Sequence, residues 1–255
     1  MQDQLSTDTD VSDPFVSPER WTGFLQEVLE TTVTAYLMLK QKSTAQTDWK
    51  EDTFTLQIVE YMRRIIQTSK APLCAQAQQH IYTPEMIAGD EPSEKAVRLD
   101  IKVWHRNWYN EDKIYFTWEC KLIVDKSKEE KHRRLVPEYI TNGIVRFLDA
   151  NWKYAQSVND AGILGYVLYG EVAHIVEAIN QEMLAIPLRP ESSTKDIRAM
   201  QALQATRKLS SSDQLKLCNP SPVNNFIFYE SLHCRHFCRK NIHLYHFFLT
   251  FDFAV

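Results

Sequence analysis

The stretch Arg98–Leu122, RLDIKVWHRNWYNEDKIYFTWECKL, decides the fold of this chain. It predicts two β-strands, Arg98–Trp104 and Ile114–Leu122, joined by a polar turn, because apolar and polar residues alternate in both. The alternation predicts one apolar face on each strand, formed by Leu99, Ile101 and Val103 on the first and by Ile114, Phe116, Trp118, Cys120 and Leu122 on the second.

Three charged side chains fall on the other face of this predicted hairpin. Glu119 and Lys121 are two residues apart, so they point the same way, and Asp100 joins them if the strands pair as a hairpin. Carboxylate oxygens are the hard ligands that Mg²⁺ prefers, and a lysine can orient water or stabilise charge on a phosphate. The alternative is a solvent-facing salt bridge across the strands, which contributes little to stability.

In these residues the chain resembles the PD-(D/E)xK nuclease superfamily, with Asp100 followed by Glu119-Cys120-Lys121, and Leu99 in place of the proline. The resemblance covers roughly residues 49–170. It implies that Asp100, Glu119 and the backbone carbonyl of Cys120 bind Mg²⁺ or Mn²⁺. It also implies that Lys121 orients or deprotonates the attacking water, or neutralises the phosphate in the transition state.

Glu51 is a fourth candidate for the site. It lies three residues before Phe54 and seven before Ile58, on the inward face of a predicted helix over Trp49–Thr68. Members of the superfamily often carry a glutamate on the first helix at the metal site, which makes Glu51 the candidate here. The alternative is an acidic residue favoured by the helix dipole.

The order of predicted elements agrees with the resemblance, because helix, hairpin, helix and strand form the αββαβ order of the nuclease core. We therefore predict an α/β fold with a restriction-endonuclease-like core, a mixed central sheet flanked by helices, an additional N-terminal helix and a C-terminal β extension. Besides the helix over Trp49–Thr68, the predicted elements are helices over Pro18–Lys42, Pro137–Trp152 and Glu171–Leu184 and strands over Ala161–Gly170, Phe226–Leu232 and Ile242–Phe251.

Composition along the chain predicts its organisation. Residues 1–17 are predicted to be a disordered tail, 18–184 the nuclease core, 185–223 a flexible polar insertion with a helix over Thr194–Leu209, and 224–255 strands completing the same domain. Residues 71–94 are predicted to be loop, with a short strand near Gln79–Tyr82.

The composition also limits the classes of function. A net charge of −4 means that any nucleic-acid surface is local. Five scattered cysteines favour a reducing, cytoplasmic setting over a disulfide framework. The acidic N-terminus is unlike a signal peptide, and no apolar run is long enough to suggest a membrane span.

Two further features each allow more than one interpretation. Arg146, on the predicted helix after the second strand, is either a surface arginine or a phosphate ligand. A run rich in His and Cys contains His233, Cys234, His236 and Cys238, but its spacing matches no ordinary structural zinc site. This run is a turn, a basic loop or a zinc-dependent centre.

The resemblance implies a metal-dependent nuclease that hydrolyses phosphodiester bonds, with DNA the favoured substrate, in prokaryotic restriction or anti-phage defence. It is compatible with a partner protein or a homo-oligomer that supplies substrate choice. The alternative is a non-catalytic subunit with the nuclease fold that binds nucleic acid or a protein.

Overall fold

A computed structural model describes residues 16–82, 84–108, 113–125, 132–149, 154, 158–186, 197, 201–204, 213–235 and 237–253. Its main helices are α1 (Pro18–Gln41), α2 (Glu51–Ser69), α3 (Pro84–Ala88), α4 (residues 135–148) and α5 (Val172–Ala185), with a 3-10 turn at Ser93–Lys95. Its strands are β1 (Leu73–Ile81), β2 (Val97–His105), β3 (Phe116–Val124), β4 (Asp160–Tyr169), β5 (Lys216–Leu217), β6 (Tyr229–Cys234) and β7 (Asn241–Thr250).

The seven strands form one mixed sheet in the order β1-β2-β3-β4-β7-β6-β5. β2 is antiparallel to both β1 and β3, and β3, β4 and β7 run parallel. β6 is antiparallel to β7, and β5 is antiparallel to β6. The prediction of an α/β fold with a mixed sheet flanked by helices is therefore confirmed. The two C-terminal strands extend this sheet, because β7 pairs with β4.

Helices α1 and α2 cover one face of the sheet. α1 begins as its sequence predicts, since the Ser17 hydroxyl accepts a hydrogen bond from the Arg20 N–H at 3.3 Å and Pro18 is the first helical residue. The two helices bury an apolar layer against β3, β4 and β7, and this layer includes Val28, Leu29, Phe54, Ile58, Trp118, Tyr166 and Phe247.

Helices α4 and α5 cover the opposite face. α4 combines an α-helical turn at Leu135–Glu138, a π-helical segment at Tyr139–Ile144 and a last turn at Val145–Leu148. Their buried residues include Ile140, Ile144, Phe147, Ile175 and Ile179. The side of β3 that carries Glu119 and Lys121 therefore faces a helical layer rather than solvent.

The structure corrects three predictions about local structure. The region predicted as loop with a short strand near Gln79–Tyr82 contains the nine-residue strand β1, whose sequence, LCAQAQQHI, is rich in alanine and glutamine and gives only a weak strand signal. Leu99 packs in the opposite layer from Ile101, because the ladder between β1 and β2 omits the pair of Gln78 and Asp100, and Gln78 has a positive φ of 54°. The helix predicted to reach Trp152 ends at Leu148, where the backbone turns extended at Asp149.

Part of the predicted organisation lies outside the described residues. This holds for residues 1–15 of the predicted tail and for most of the predicted helix at 194–209, of which 197 and 201–204 are described as helical. Within the predicted insertion at 185–223, β5 pairs with β6, and the Asn180 side chain hydrogen bonds to the backbone N–H and C=O of Leu215 at 2.8 and 3.1 Å. That part of the segment is held to the sheet and to α5.

Candidate active site

The site forms where β2 and β3 separate. The two strands pair only from Ile101 to Val103, opposite Phe116 to Trp118. One residue beyond this ladder, Asp100 Oδ2 accepts a hydrogen bond from the backbone N–H of Cys120 at 2.9 Å. A carboxylate thus takes the place of a strand partner, and the opening between the strands brings Asp100 beside the face that carries Glu119.

Lys121 lies at the centre of three carboxylates. Its Nζ is 2.6 Å from Glu119 Oε1, 3.1 Å from Glu51 Oε1 and 3.8 Å from Asp100 Oδ2. It also donates a hydrogen bond to the backbone carbonyl of Cys120 at 2.5 Å. The four residues that the sequence singles out are therefore brought together around one amine.

Glu51 reaches this group from the first turn of α2. The helix has no side-chain cap at Lys50, and the acidic residues Glu51 and Asp52 complement its N-terminal dipole. Glu51 also accepts a hydrogen bond from the backbone N–H of Leu122, and about a third of its side chain is exposed. Glu51 is thus both the first-turn acid of a helix and a neighbour of Lys121.

Arg146 reaches the site from α4, which covers the sheet face opposite to the one covered by α2, the helix of Glu51. Its Nη1 is 2.6 Å from Glu119 Oε1, and its guanidinium carbon lies 4.8 Å from the centre of the Tyr154 ring. The interpretation of Arg146 as a surface residue is wrong, because its side chain is only 18% exposed. α4 lies directly against this part of the sheet, since a methyl group at Gly143 would be in ordinary van der Waals contact with Lys121 Cγ at 3.6 Å.

The burial of the charges tests whether they form a solvent-facing salt bridge. Glu119 is fully buried, and Asp100 and Lys121 are 5% and 8% exposed. The solvent-facing salt bridge is therefore wrong as a description of these residues. The pKa of Asp100 is raised to about 7, mainly by burial and to a smaller extent by the charge of Glu119, while Lys121 opposes this change.

The other charged groups respond to the same crowding. Burial raises the pKa of Glu51 although Lys121 opposes this change. Burial alone would lower the pKa of Lys121, but Glu119, Glu51 and Asp100 raise it above its ordinary value. Burial would likewise lower the pKa of Arg146, and Glu119 raises it. The two bases are thus held as cations by the acids around them.

The thiol of Cys120 lies on the opposite face of β3 and belongs to the apolar layer under α2. It accepts a hydrogen bond from the Tyr166 hydroxyl at 3.3 Å, and that hydroxyl is 3.1 Å from the hydroxyl of Thr55. Burial raises the pKa of the thiol well above its usual range. Only the backbone N–H and carbonyl of Cys120 therefore belong to the candidate site.

Two buried oxygens at the site form no hydrogen bond of normal geometry with any described residue. They are Glu119 Oε2 and the hydroxyl of Tyr154, whose pKa is raised by burial and then by the charge of Glu119. Buried polar atoms are normally paired, so an unpaired carboxylate oxygen indicates a place for a water molecule or an ion. Sequence reasoning missed Tyr154, since nothing near it in the chain marks it as part of the site.

The donor atoms at this site are of the type that a hard divalent cation prefers. Asp100, Glu119 and the carbonyl of Cys120 offer only oxygen, and three carboxylates face two cations, which leaves one formal negative charge. Among the described residues, no group of three or more His, Cys, Asp or Glu side chains is arranged so that it could hold a metal ion. A cation would therefore have two carboxylates and a carbonyl for protein ligands, which suits Mg²⁺ because this ion keeps several waters.

The other predicted centre is not assembled in the described part of the chain. His233 Nε2 hydrogen bonds to the Ser231 hydroxyl at 2.8 Å, and the same hydroxyl is 2.8 Å from His246 Nε2. All five cysteines are free, and His236 lies outside the described residues. His233 is thus a buried core histidine, and the interpretation as a zinc centre gains no support from its contacts.

A surface cavity of about 420 Å³ lies elsewhere, at the first residues of β4 and β7. Its lining includes Asp160, Lys240 and His243. None of the residues around Lys121 lines it. The candidate site is therefore a closed cluster of charges between strands rather than this open cavity.

Comparisons of the chain with models of known protein families, with curated proteins and with solved structures found no match. Within the described residues, no helix combines the length and apolar character needed to cross a membrane.

Proposed function

We propose that this chain is a metal-dependent nuclease with a restriction-endonuclease-like core, which hydrolyses phosphodiester bonds and has DNA as its favoured substrate. The observation that carries the proposal is the convergence of Glu51, Asp100 and Glu119 within 4 Å of one lysine amine, at a fork in the sheet. Folding alone does not require three acids around one lysine, since burying charges is costly.

The proposed roles follow from the positions of the groups. Asp100, Glu119 and the Cys120 carbonyl would hold Mg²⁺ or Mn²⁺, with Glu51 assisting through a bound water. The ion supplies Lewis-acid polarisation of a phosphoryl oxygen and lowers the pKa of a bound water. Lys121 would orient the water or neutralise the phosphate. The three acids around Lys121 favour the second role, because they keep its amine in the ammonium form.

The experiment is the incubation of supercoiled plasmid with the purified protein in Mg²⁺ or Mn²⁺, with and without EDTA. We expect nicked or linear products in either metal, and none with EDTA or with the Glu119→Gln variant. Single-stranded DNA and RNA tested in parallel identify the substrate class. If none of the three nucleic acids is cleaved in Mg²⁺ or in Mn²⁺, the proposal is contradicted.

A second candidate is a non-catalytic subunit with the same fold that binds nucleic acid or a protein. The observation that favours it is that Glu119 is fully buried and its Oε1 already bonds both Lys121 and Arg146. In this candidate, the ion pairs only stabilise the fold, and Glu119 binds no metal. A protein that binds DNA in gel-shift assays but leaves it intact in both metals would support this candidate.

The proposal extends to the biological setting by family analogy. A cytoplasmic nuclease in prokaryotic restriction or anti-phage defence, acting with a partner protein or as a homo-oligomer, agrees with the modest net charge of −4. Size-exclusion chromatography with light scattering would show whether the purified chain forms oligomers.

A further inference from the structure

The two cations at Glu119 share a single carboxylate oxygen. Lys121 Nζ and Arg146 Nη1 each lie 2.6 Å from Glu119 Oε1, while the buried Glu119 Oε2 forms no hydrogen bond of normal geometry with the described residues. The hydroxyl of Tyr154 interacts with the same carboxylate. One oxygen is thus crowded by two positive charges, and the other has no cation beside it. This asymmetry marks the contact of Arg146 with Glu119 as one that can be exchanged.

Arg146 is placed so that it can leave Glu119 and remain at the site. Its side chain is 18% exposed whereas that of Glu119 is fully buried, so the guanidinium is the member of the pair that reaches towards solvent. Its guanidinium also lies over the ring of Tyr154 at 4.8 Å, a contact that does not depend on the carboxylate. The stacking supports the arginine at the site even without Glu119.

The charge of the cluster shows what such an exchange would achieve. With all three acids ionised, Glu51, Asp100 and Glu119 face Lys121 and Arg146, which leaves one formal negative charge and disfavours a phosphate. A bound divalent cation would reverse the sign and leave one positive charge, which matches the single negative charge of a phosphodiester. A guanidinium released from Glu119 could then pair with that phosphate through two hydrogen bonds.

We infer that Arg146 is a phosphate-binding residue that pairs with Glu119 in the resting site and transfers to the phosphodiester of the substrate once Glu119 takes up a metal ion. This inference rests on the proposed nuclease function and adds a residue and an order of events to it. Arg146 recognises the phosphate rather than the base, so its contribution is the same for every nucleotide sequence.

The test measures Mn²⁺ binding and cleavage separately in the full-length chain. Arg146→Gln removes a cation that competes for Glu119, so we expect Mn²⁺ to bind about threefold to tenfold more tightly by calorimetry, the range that corresponds to the loss of one competing ion pair. The same variant should cleave plasmid about 100-fold more slowly, the usual effect of removing one donor to a transition-state oxygen. Arg146→Lys keeps the charge but loses the planar fork, so we expect Mn²⁺ affinity close to wild type and an intermediate rate.

The matched control is Arg64→Gln, because Arg64 pairs with Glu60 on the surface of α2 at 3.0 Å and both side chains are about half exposed. This variant should keep the wild-type metal affinity and rate. Weaker Mn²⁺ binding by Arg146→Gln would overturn the inference, since Arg146 would then hold Glu119 in its ligand position.

A wild-type rate in Arg146→Gln would also overturn the inference. If circular dichroism shows that Arg146→Gln does not fold, Arg146→Lys is used as the test, and a wild-type rate in that variant overturns the inference. A wild-type protein that neither binds Mn²⁺ nor cleaves nucleic acid would refute the proposed function and this inference together. The inference alone is refuted if the wild type binds Mn²⁺ and cleaves nucleic acid, but Arg146→Gln binds Mn²⁺ more weakly or cleaves at the wild-type rate.

Discussion

The Asp100 carboxylate accepts a hydrogen bond from the backbone N–H of Cys120 at 2.9 Å, just beyond the last backbone pair between β2 and β3. This contact joins the two strands that carry the candidate site beyond the end of their backbone ladder. It also leaves the second oxygen of the carboxylate available for another role. A structural hydrogen bond and a candidate ligand thus reside in the same side chain.

The two roles of Asp100 are separable by substitution. Asp100→Asn keeps an oxygen that can accept from Cys120, so we expect a free energy of unfolding within about 1 kcal/mol of wild type. Asp100→Ala leaves a buried N–H unpaired and should lower that free energy by about 1–3 kcal/mol. Both variants should bind Mn²⁺ at least tenfold more weakly. Urea denaturation and calorimetry measure these effects, and equal stability of the two variants would exclude the structural role.

Removing the central amine tests the proposed chemistry. Lys121→Ala should abolish plasmid cleavage while the protein remains folded and still binds Mn²⁺, because the carboxylates and the Cys120 carbonyl are unchanged. Lys113→Ala is the control, since Lys113 is exposed and lies outside the cluster. Cleavage at the wild-type rate by Lys121→Ala would remove this lysine from the mechanism. Circular dichroism checks that both variants are folded.

Two fully buried histidines, His233 on β6 and His246 on β7, predict a loss of stability in acid. Burial lowers the pKa of His233 from 6.5 to about 4 and lowers the pKa of His246 well below its usual value. Below pH 6.5 the unfolded chain therefore binds protons that the folded chain does not bind, so stability falls as the pH falls towards 4. From His233 alone we expect a loss of roughly 2 kcal/mol between pH 7 and pH 5.

Urea denaturation at a series of pH values measures this effect. His233→Gln should show a shallower decline with falling pH than wild type, because the variant has one fewer group that takes up a proton on unfolding. The comparison is needed because carboxylates also titrate in this range. Parallel pH profiles for the two proteins would mean that His233 is not the neutral buried group described here.

A pair of glycines tests the packing of β3 against β4. A methyl group at Gly162 would overlap the ring of Trp118 on the neighbouring strand, whereas one at Gly23 on the surface of α1 would meet nothing within 4 Å. We expect Gly162→Ala to lower the free energy of unfolding by about 3 kcal/mol. Gly23→Ala should raise it by about 0.5–1 kcal/mol, because alanine is the better helix former. Similar melting temperatures for the two variants would contradict the close approach of Trp118 to Gly162.

Local patterns in the sequence predicted much of the fold. The start of α1 at Pro18 follows from the Ser-Pro pair, and the alternation along β3 places Phe116, Trp118 and Cys120 in one apolar layer. The position of Leu99 was predicted wrongly, because the positive φ of Gln78 on a different strand interrupts the regular ladder. Only the end of strand β1 was predicted, because the rest of this edge strand consists largely of alanine and glutamine, which are poor strand formers.

The candidate site divides in the same way. The period of two along a strand decides that Glu119 and Lys121 share a face, and this follows from the sequence by itself because it depends only on neighbouring residues. Whether that face meets water or a helix depends on the packing of α4, which is set by contacts between distant parts of the chain. Only the tertiary structure therefore decided that Glu119 is fully buried, that Glu51 approaches Lys121, and that Arg146 pairs with Glu119.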